Sequence, residues 1–114
     1  MEYWEFLEKL ISENQIVIDR KKGSAHPLFP SVIYPVDYGY ITNTKSMDGS
    51  CIDVFLGNKT DMQVTGIMCT IDMIKNDSEI KVMVGCSSQE INTVLAFLNN
   101  SAFMKAIFID RFNS

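Results

Sequence analysis

Asp48 and Asp53 stand five positions apart in the stretch Asp48-Gly49-Ser50-Cys51-Ile52-Asp53-Val54. In a strand starting near residue 51, alternation puts Ile52, Val54 and Leu56 on one face and Asp53 and Phe55 on the other. Asp48, in the turn just before, can swing to Asp53's side. Two carboxylates so placed suit a hard divalent cation, Mg²⁺ or Mn²⁺, which takes oxygen ligands and few of them from protein. The competing reading is one solvated aspartate in a turn and another on a strand. Glu79 and Lys81 share one face of a later strand while Ile80, Val82 and Val84 share the other, so an acid is again set beside a base. Arg20, Lys21, Lys22 and His26 surround Gly23 and concentrate positive charge in an otherwise acidic chain. Cations beside carboxylates are what a metal–phosphate complex needs; a solvated basic loop is the alternative. Tyr34, Tyr38 and Tyr40 can donate to phosphate oxygens without adding charge, or can serve as amphipathic core and rim.

These residues need elements to hold them. Trp4, Leu7, Leu10 and Ile11 recur at helical spacing, which predicts an amphipathic helix over 2–13. Short strands are predicted at 15–19, 31–35 and 38–42, and a clearer one at 51–57. A hairpin follows, with strands at 63–74 and 79–86 around the turn Lys75-Asn76-Asp77-Ser78. A second helix begins at Ser87 or Ser88 as N-cap, with Glu90 in its first turn and an Asn pair at its end. A last strand covers 104–111. Short strands with few helices predict a mainly β (α+β) fold, a small OB-like five-stranded β-barrel with flanking helices.

The 114 residues make a single domain, 1–114, able to bury one core. A net charge of −4 argues against a nucleic-acid binder, which needs a basic face. No apolar run approaches the roughly 20 residues that cross a bilayer, and no signal-peptide pattern opens the chain, so a cytoplasmic protein without a membrane partner is expected. The three cysteines read as buried free thiols of a reducing compartment, with neither CxxC nor a Cys/His cluster for zinc. The N-terminal helix and exposed apolar residues permit a homo-oligomer.

Together, Tyr34-Pro35-Val36-Asp37-Tyr38-Gly39-Tyr40 and Asp48-Gly49-Ser50-Cys51-Ile52-Asp53-Val54 resemble, in order and spacing, the paired motifs of the soluble family I inorganic pyrophosphatases. The likeness runs more loosely from about residue 15 to 84, and the chain looks like a short, divergent branch. The resemblance implies Mg²⁺-dependent hydrolysis of pyrophosphate to two phosphates by metal-activated water. It implies Asp48, Asp53, Glu79 and Asp19 as metal ligands, and catalytic roles for Asp53 and Tyr38. It places Lys81 on phosphate and the Tyr34 hydroxyl at the edge of the site. Arg20, Lys22 and His26 are offered as substitutes for early basic residues of the family that have no firm counterpart here, and Lys105 and Arg111 for a late Tyr-Lys pair. Ser50 stands where the family has the middle Asp, the residue that helps activate the water, which leads to the expectation of slow turnover. Asp37 or Asp77 could reach in instead. A non-catalytic descendant that binds phosphate or a protein partner, and a phosphohydrolase with another phosphorylated substrate, remain as alternatives.

Overall fold

In a computed structural model, residues 2–112 are described. The elements run α1 (Tyr3–Ser12), β1 (Ile16–Arg20), β2 (Asp37–Ile41), β3 (Asp53–Leu56), β4 (Val64–Asp72), β5 (Asp77–Val84), α2 (Ser88–Asn99) and β6 (Met104–Asp110). No helix is long and apolar enough to cross a membrane. α2 starts where its capping chemistry dictates. Ser87 Oγ accepts from Glu90 N–H at 3.2 Å, and Glu90 Oε1 accepts from Ser87 N–H at 2.9 Å, so reciprocal bonds satisfy orphan donors of the first turn.

The strands form one sheet in the order β1-β2-β3-β5-β4-β6. The mainly β architecture with flanking helices is as expected, and two details differ. The sheet has six strands and stays open, with no pairing between β1 and β6 among the described residues, where a five-stranded barrel, closed or partly open, was expected. Closure is unnecessary because a helix covers each face. Leu7 of α1 packs with Ile41, Val54, Val64, Ile67, Val82 and Val84 on one side. Val94 and Leu98 of α2 pack with Tyr34, Val36, Phe55, Met68 and Met83 on the other. The strand expected over 31–35 does not form. Proline, which lacks a ladder donor, brackets it at Pro30 and Pro35, and the segment keeps only a bridge between Ala25 and Ile33.

One pairing decides where the chemistry sits. β3 runs parallel to β5, with Asp53 opposite Lys81 and Phe55 opposite Met83. Parallel neighbours are buried on both faces, and Val54, Phe55, Val82 and Met83 are fully buried. The face shared by Asp53 and Phe55 is therefore a second core toward α2, and the polar residues lie beside that core. On β2, Gly39 permits this arrangement: a Cβ there would lie 1.8 Å from the Val17 carbonyl oxygen. The bare backbone lets β1 close onto β2 and brings Arg20 opposite Tyr38.

Candidate metal and phosphate site

Across the sheet, Tyr40 pairs with Asp53 and Asp53 with Lys81. Lys81 is 5% exposed, and its ammonium spends its donors on side chains of this row and its neighbours. It donates to Asp53 Oδ2 at 2.8 Å, to the Tyr38 hydroxyl at 3.1 Å and to Glu79 Oε1 at 3.3 Å. Two positions before Lys81 on the same strand face, Glu79 has an 8% exposed side chain. Its second oxygen, Oε2, is buried without any hydrogen-bond partner. Asp48 and Asp77 bring one carboxylate oxygen each within 4.8 Å of Glu79 and of one another. Asp48 is held from its own loop, accepting from Ser46 Oγ at 2.7 Å and Ser50 N–H at 2.9 Å. The turn needs Gly49, whose φ of +85° is in the left-handed region that glycine adopts without strain.

Electrostatics follow from this packing. Burial by itself would pull the Lys81 ammonium down, but the facing Tyr38 and Asp53 oxygens outweigh it and hold it above its ordinary value. It is therefore a permanent cation. Burial pushes the Tyr38 phenol well up, opposed by Lys81 and reinforced by Asp53, so Tyr38 stays protonated. Glu79 is raised, first by burial and then by Asp53 and Asp48 against the pull of Lys81. Asp48 is lowered by the Ser46 hydroxyl and then the Ser50 amide.

A hard divalent cation fits this donor set. The cluster offers carboxylate oxygens only, which hard divalent cations prefer, and Glu79 Oε2 is a desolvated acceptor that no protein donor satisfies. Asp48, Asp77 and Glu79 would hold the ion. Beside them stands the aromatic and basic flank. Tyr34 and Tyr38 stack with centroids 5.2 Å apart. The Arg20 guanidinium donates to the Tyr34 hydroxyl and lies 5.4 Å and 5.7 Å from the two ring centroids.

Of the residues singled out in the sequence, the structure thus joins Asp48 with Glu79, and links Asp53, Tyr38 and Glu79 through Lys81. Arg20 and Tyr34 border them. Asp19 is exposed at a bulge between Ile18 and Arg20 and does not join the carboxylate cluster. Lys22 is exposed and enters only through its backbone N–H, donated to Asp37 at 2.8 Å. His26 stacks on Tyr34 at 6.4 Å and accepts on Nδ1 from Leu28 N–H; burial and then Arg20 lower its pKa. Arg111 is bound away from the cluster, to Glu8 at 2.6 Å and the Val64 carbonyl at 3.0 Å. Lys105 caps carbonyls of Asn99 and Ser101 after α2. Asp77, offered from the sequence only as an acid that could reach in for the one missing at Ser50, lies in the carboxylate cluster. The signal for that place was its two-residue spacing from Glu79.

Comparison with known proteins bears on the same region. Residues 14–104 match the family model described as Inorganic Pyrophosphatase. The chain is 32% identical over 80 residues to an inorganic pyrophosphatase of Halalkalibacterium halodurans, covering 60% of this chain and 49% of that one. It is 28% identical over 80 residues to one of Geobacillus stearothermophilus, covering 60% and 48%. The chain thus spans about half the length of these curated relatives. The fold is similar to that of the inorganic pyrophosphatase from Helicobacter pylori, with a TM-score of 0.66 at 15% identity over 84% of this chain and 83% of the other. A structure from Neisseria gonorrhoeae aligns with a TM-score of 0.61 at 19% identity, covering 79% and 77%.

Proposed function

Because this chain belongs to the inorganic pyrophosphatase family, we propose that it hydrolyses inorganic pyrophosphate to two phosphates with Mg²⁺, or Mn²⁺ in its place. The observation that carries this reading is the Glu79 carboxylate, which clusters with Asp48 and Asp77 and has one oxygen buried without a partner and the other on Lys81. A fixed positive charge beside a cation-binding carboxylate is what a metal-complexed diphosphate requires. A divalent ion bound there supplies Lewis acidity, lowering the pKa of water and neutralising phosphoryl oxygens.

The chain's own residues divide the rest. Lys81 is a fixed positive charge, aimed by Asp53 and Tyr38, and stabilises the departing phosphate. Tyr38, protonated, can donate its O–H to a phosphoryl oxygen, and Arg20 adds a second cation across the Tyr34–Tyr38 stack. Positioning and electrostatics of this kind carry most of phosphoryl transfer. Ser50 supplies only its backbone N–H, to Asp48, where the motif calls for a carboxylate. Turnover is therefore slow.

The test is phosphate release from pyrophosphate by the metal-loaded chain, at about pH 6 to 9 to span the ordinary titration of general bases. Release that needs the divalent ion and is inhibited by a chelator is expected. No turnover with either ion sinks the reading and favours a phosphate-binding descendant, for which the missing carboxylate at Ser50 is the specific support. Cleavage of other phosphorylated substrates but not pyrophosphate reassigns the substrate.

A further inference from the structure

We propose that Asp77 supplies the third carboxylate of a divalent-cation site with Asp48 and Glu79, in a position that Asp53 does not fill because Lys81 holds it. The inference rests on reading this face as a metal site, and it does not depend on pyrophosphate being the substrate.

Asp77 and Glu79 alternate on β5 and so project from one face of the strand. The loop before β3 brings Asp48 over them, and one oxygen from each residue lies within 4.8 Å of the others. Clustered acids are commonplace on protein surfaces. What sets this cluster apart is Glu79, whose side chain is 8% exposed and whose Oε2 has no donor. Leaving a buried acceptor unsatisfied is costly, more so when it is charged, and three like charges at this range add repulsion. A cation removes both penalties at once. Among the described residues no ion pair reaches Asp77; Lys81 meets the cluster only at Glu79 Oε1, and Lys75 stands 4.0 Å from Asp48 with a 59% exposed side chain. A contact of that kind is largely screened.

Asp53 is in the opposite position. Its Oδ2 accepts from Lys81 at 2.8 Å, and Lys81 is buried. Drawing Asp53 onto a metal would leave the ammonium short of its nearest counter-ion, so Asp53 acts as the positioning residue of Lys81. Asp77 also answers the departure at Ser50: one carboxylate is missing from the loop, and one is gained from the strand beside it.

The experiment is a titration of the metal-free full chain with Mn²⁺, followed by the electron paramagnetic resonance signal of the free ion and without pyrophosphate. Asp77→Asn is expected to weaken binding at least about tenfold, the range seen when groups around a metal are altered. Asp53→Asn is expected to weaken it less than Asp77→Asn does, because the Asp53 carboxylate is spent on Lys81. Thermal unfolding in chelator gives a second readout. Asp77→Asn should melt at or above the wild-type temperature, because one of three repelling charges is gone; a lower melting temperature would give Asp77 a structural role and overturn the assignment. Wild-type-like Mn²⁺ binding in Asp77→Asn overturns it as well, as does a larger loss in Asp53→Asn. A chain that binds Mn²⁺ through Asp77 yet releases no phosphate defeats the proposed activity and leaves this site standing. Phosphate release by a chain indifferent to Asp77 does the reverse.

Discussion

Ser50 presents one backbone N–H to Asp48 at 2.9 Å, and its own carbonyl accepts from Ser46 N–H at 2.7 Å. The loop is therefore pinned by main-chain bonds that a change of side chain leaves in place. Ser50→Asp would set a proton acceptor beside the carboxylate cluster without remaking the turn. General-base assistance is typically worth 10²–10⁴, so turnover of pyrophosphate is expected to rise by about 10² in Ser50→Asp. Initial rates of phosphate release at saturating Mg²⁺ check this. An unchanged rate would mean that another residue already takes the proton, or that chemistry does not limit turnover. The serine was conspicuous in the sequence because its neighbours match a motif that it breaks. The partner of Asp53 was not. Strand alternation turns Asp53 away from Ile52 and Val54, but nothing local says that the atom it meets is the Lys81 ammonium, 28 residues on.

At the scale of elements, the tight approach of β1 to β2 is what aims Arg20 across Tyr38. A methyl group at Gly39 would sit 1.8 Å from the Val17 carbonyl oxygen, a collision with backbone that no rotamer change relieves. Gly39→Ala should cost about 3 kcal/mol, the upper range for overpacking, in urea unfolding. It should also lower phosphate release as Arg20 is displaced; a loss under about 0.5 kcal/mol, the scale of a neutral surface change, would refute the close approach. Cys86 tests the other flank, where β5 meets α2. Its thiol is pushed up to about 12 from 9.0, first by burial and then by Glu90. A raised folded pKa means the native state holds the proton more tightly, so that stability is full below 9.0 and is lost as pH rises toward 12. As pH rises from 9.0 toward 12, wild-type stability should therefore fall more steeply than that of Cys86→Ala; parallel slopes would mean the thiol titrates normally. Local patterns made much of this architecture legible. The helical stripe of α1, the Ser87–Glu90 cap of α2 and the alternation in β3 and β5 are short-range signals. The segment at 31–35 carried strand-forming residues, but Pro30 and Pro35 deny it donors and its partners are a loop. The β3–β5 pairing joins segments separated by the whole of β4, and turn residues around Asn76 hid that Asp77, named only as an acid that could reach in, is the first residue of β5.

For the molecule as a whole, a sheet buried on both sides makes two cores depend on the same backbone ladder. The radius of gyration of 13.4 Å matches the ~13 Å of a compact single domain of this length. Trp4, the only tryptophan, packs on the α1 face with Leu7, Ile41 and Val54, while Asp53, Glu79 and Lys81 project toward the α2 face. Neither face can lose its packing without disturbing Val54, Phe55, Val82 and Met83, which alternate between the two along the central β3–β5 pair. The carboxylates, moreover, come together only when that non-local pairing forms. Trp4 fluorescence and Mn²⁺ binding report from opposite faces, and they should disappear in one coincident urea transition, as a two-state single domain requires. Saturating Mn²⁺ should move both curves together, by about 2.7 kcal/mol at a hundredfold excess over the dissociation constant. Loss of Mn²⁺ binding at lower urea than the fluorescence change would show instead that the α2 face opens on its own, and the site would then be a locally unstable unit resting on a stable α1 face.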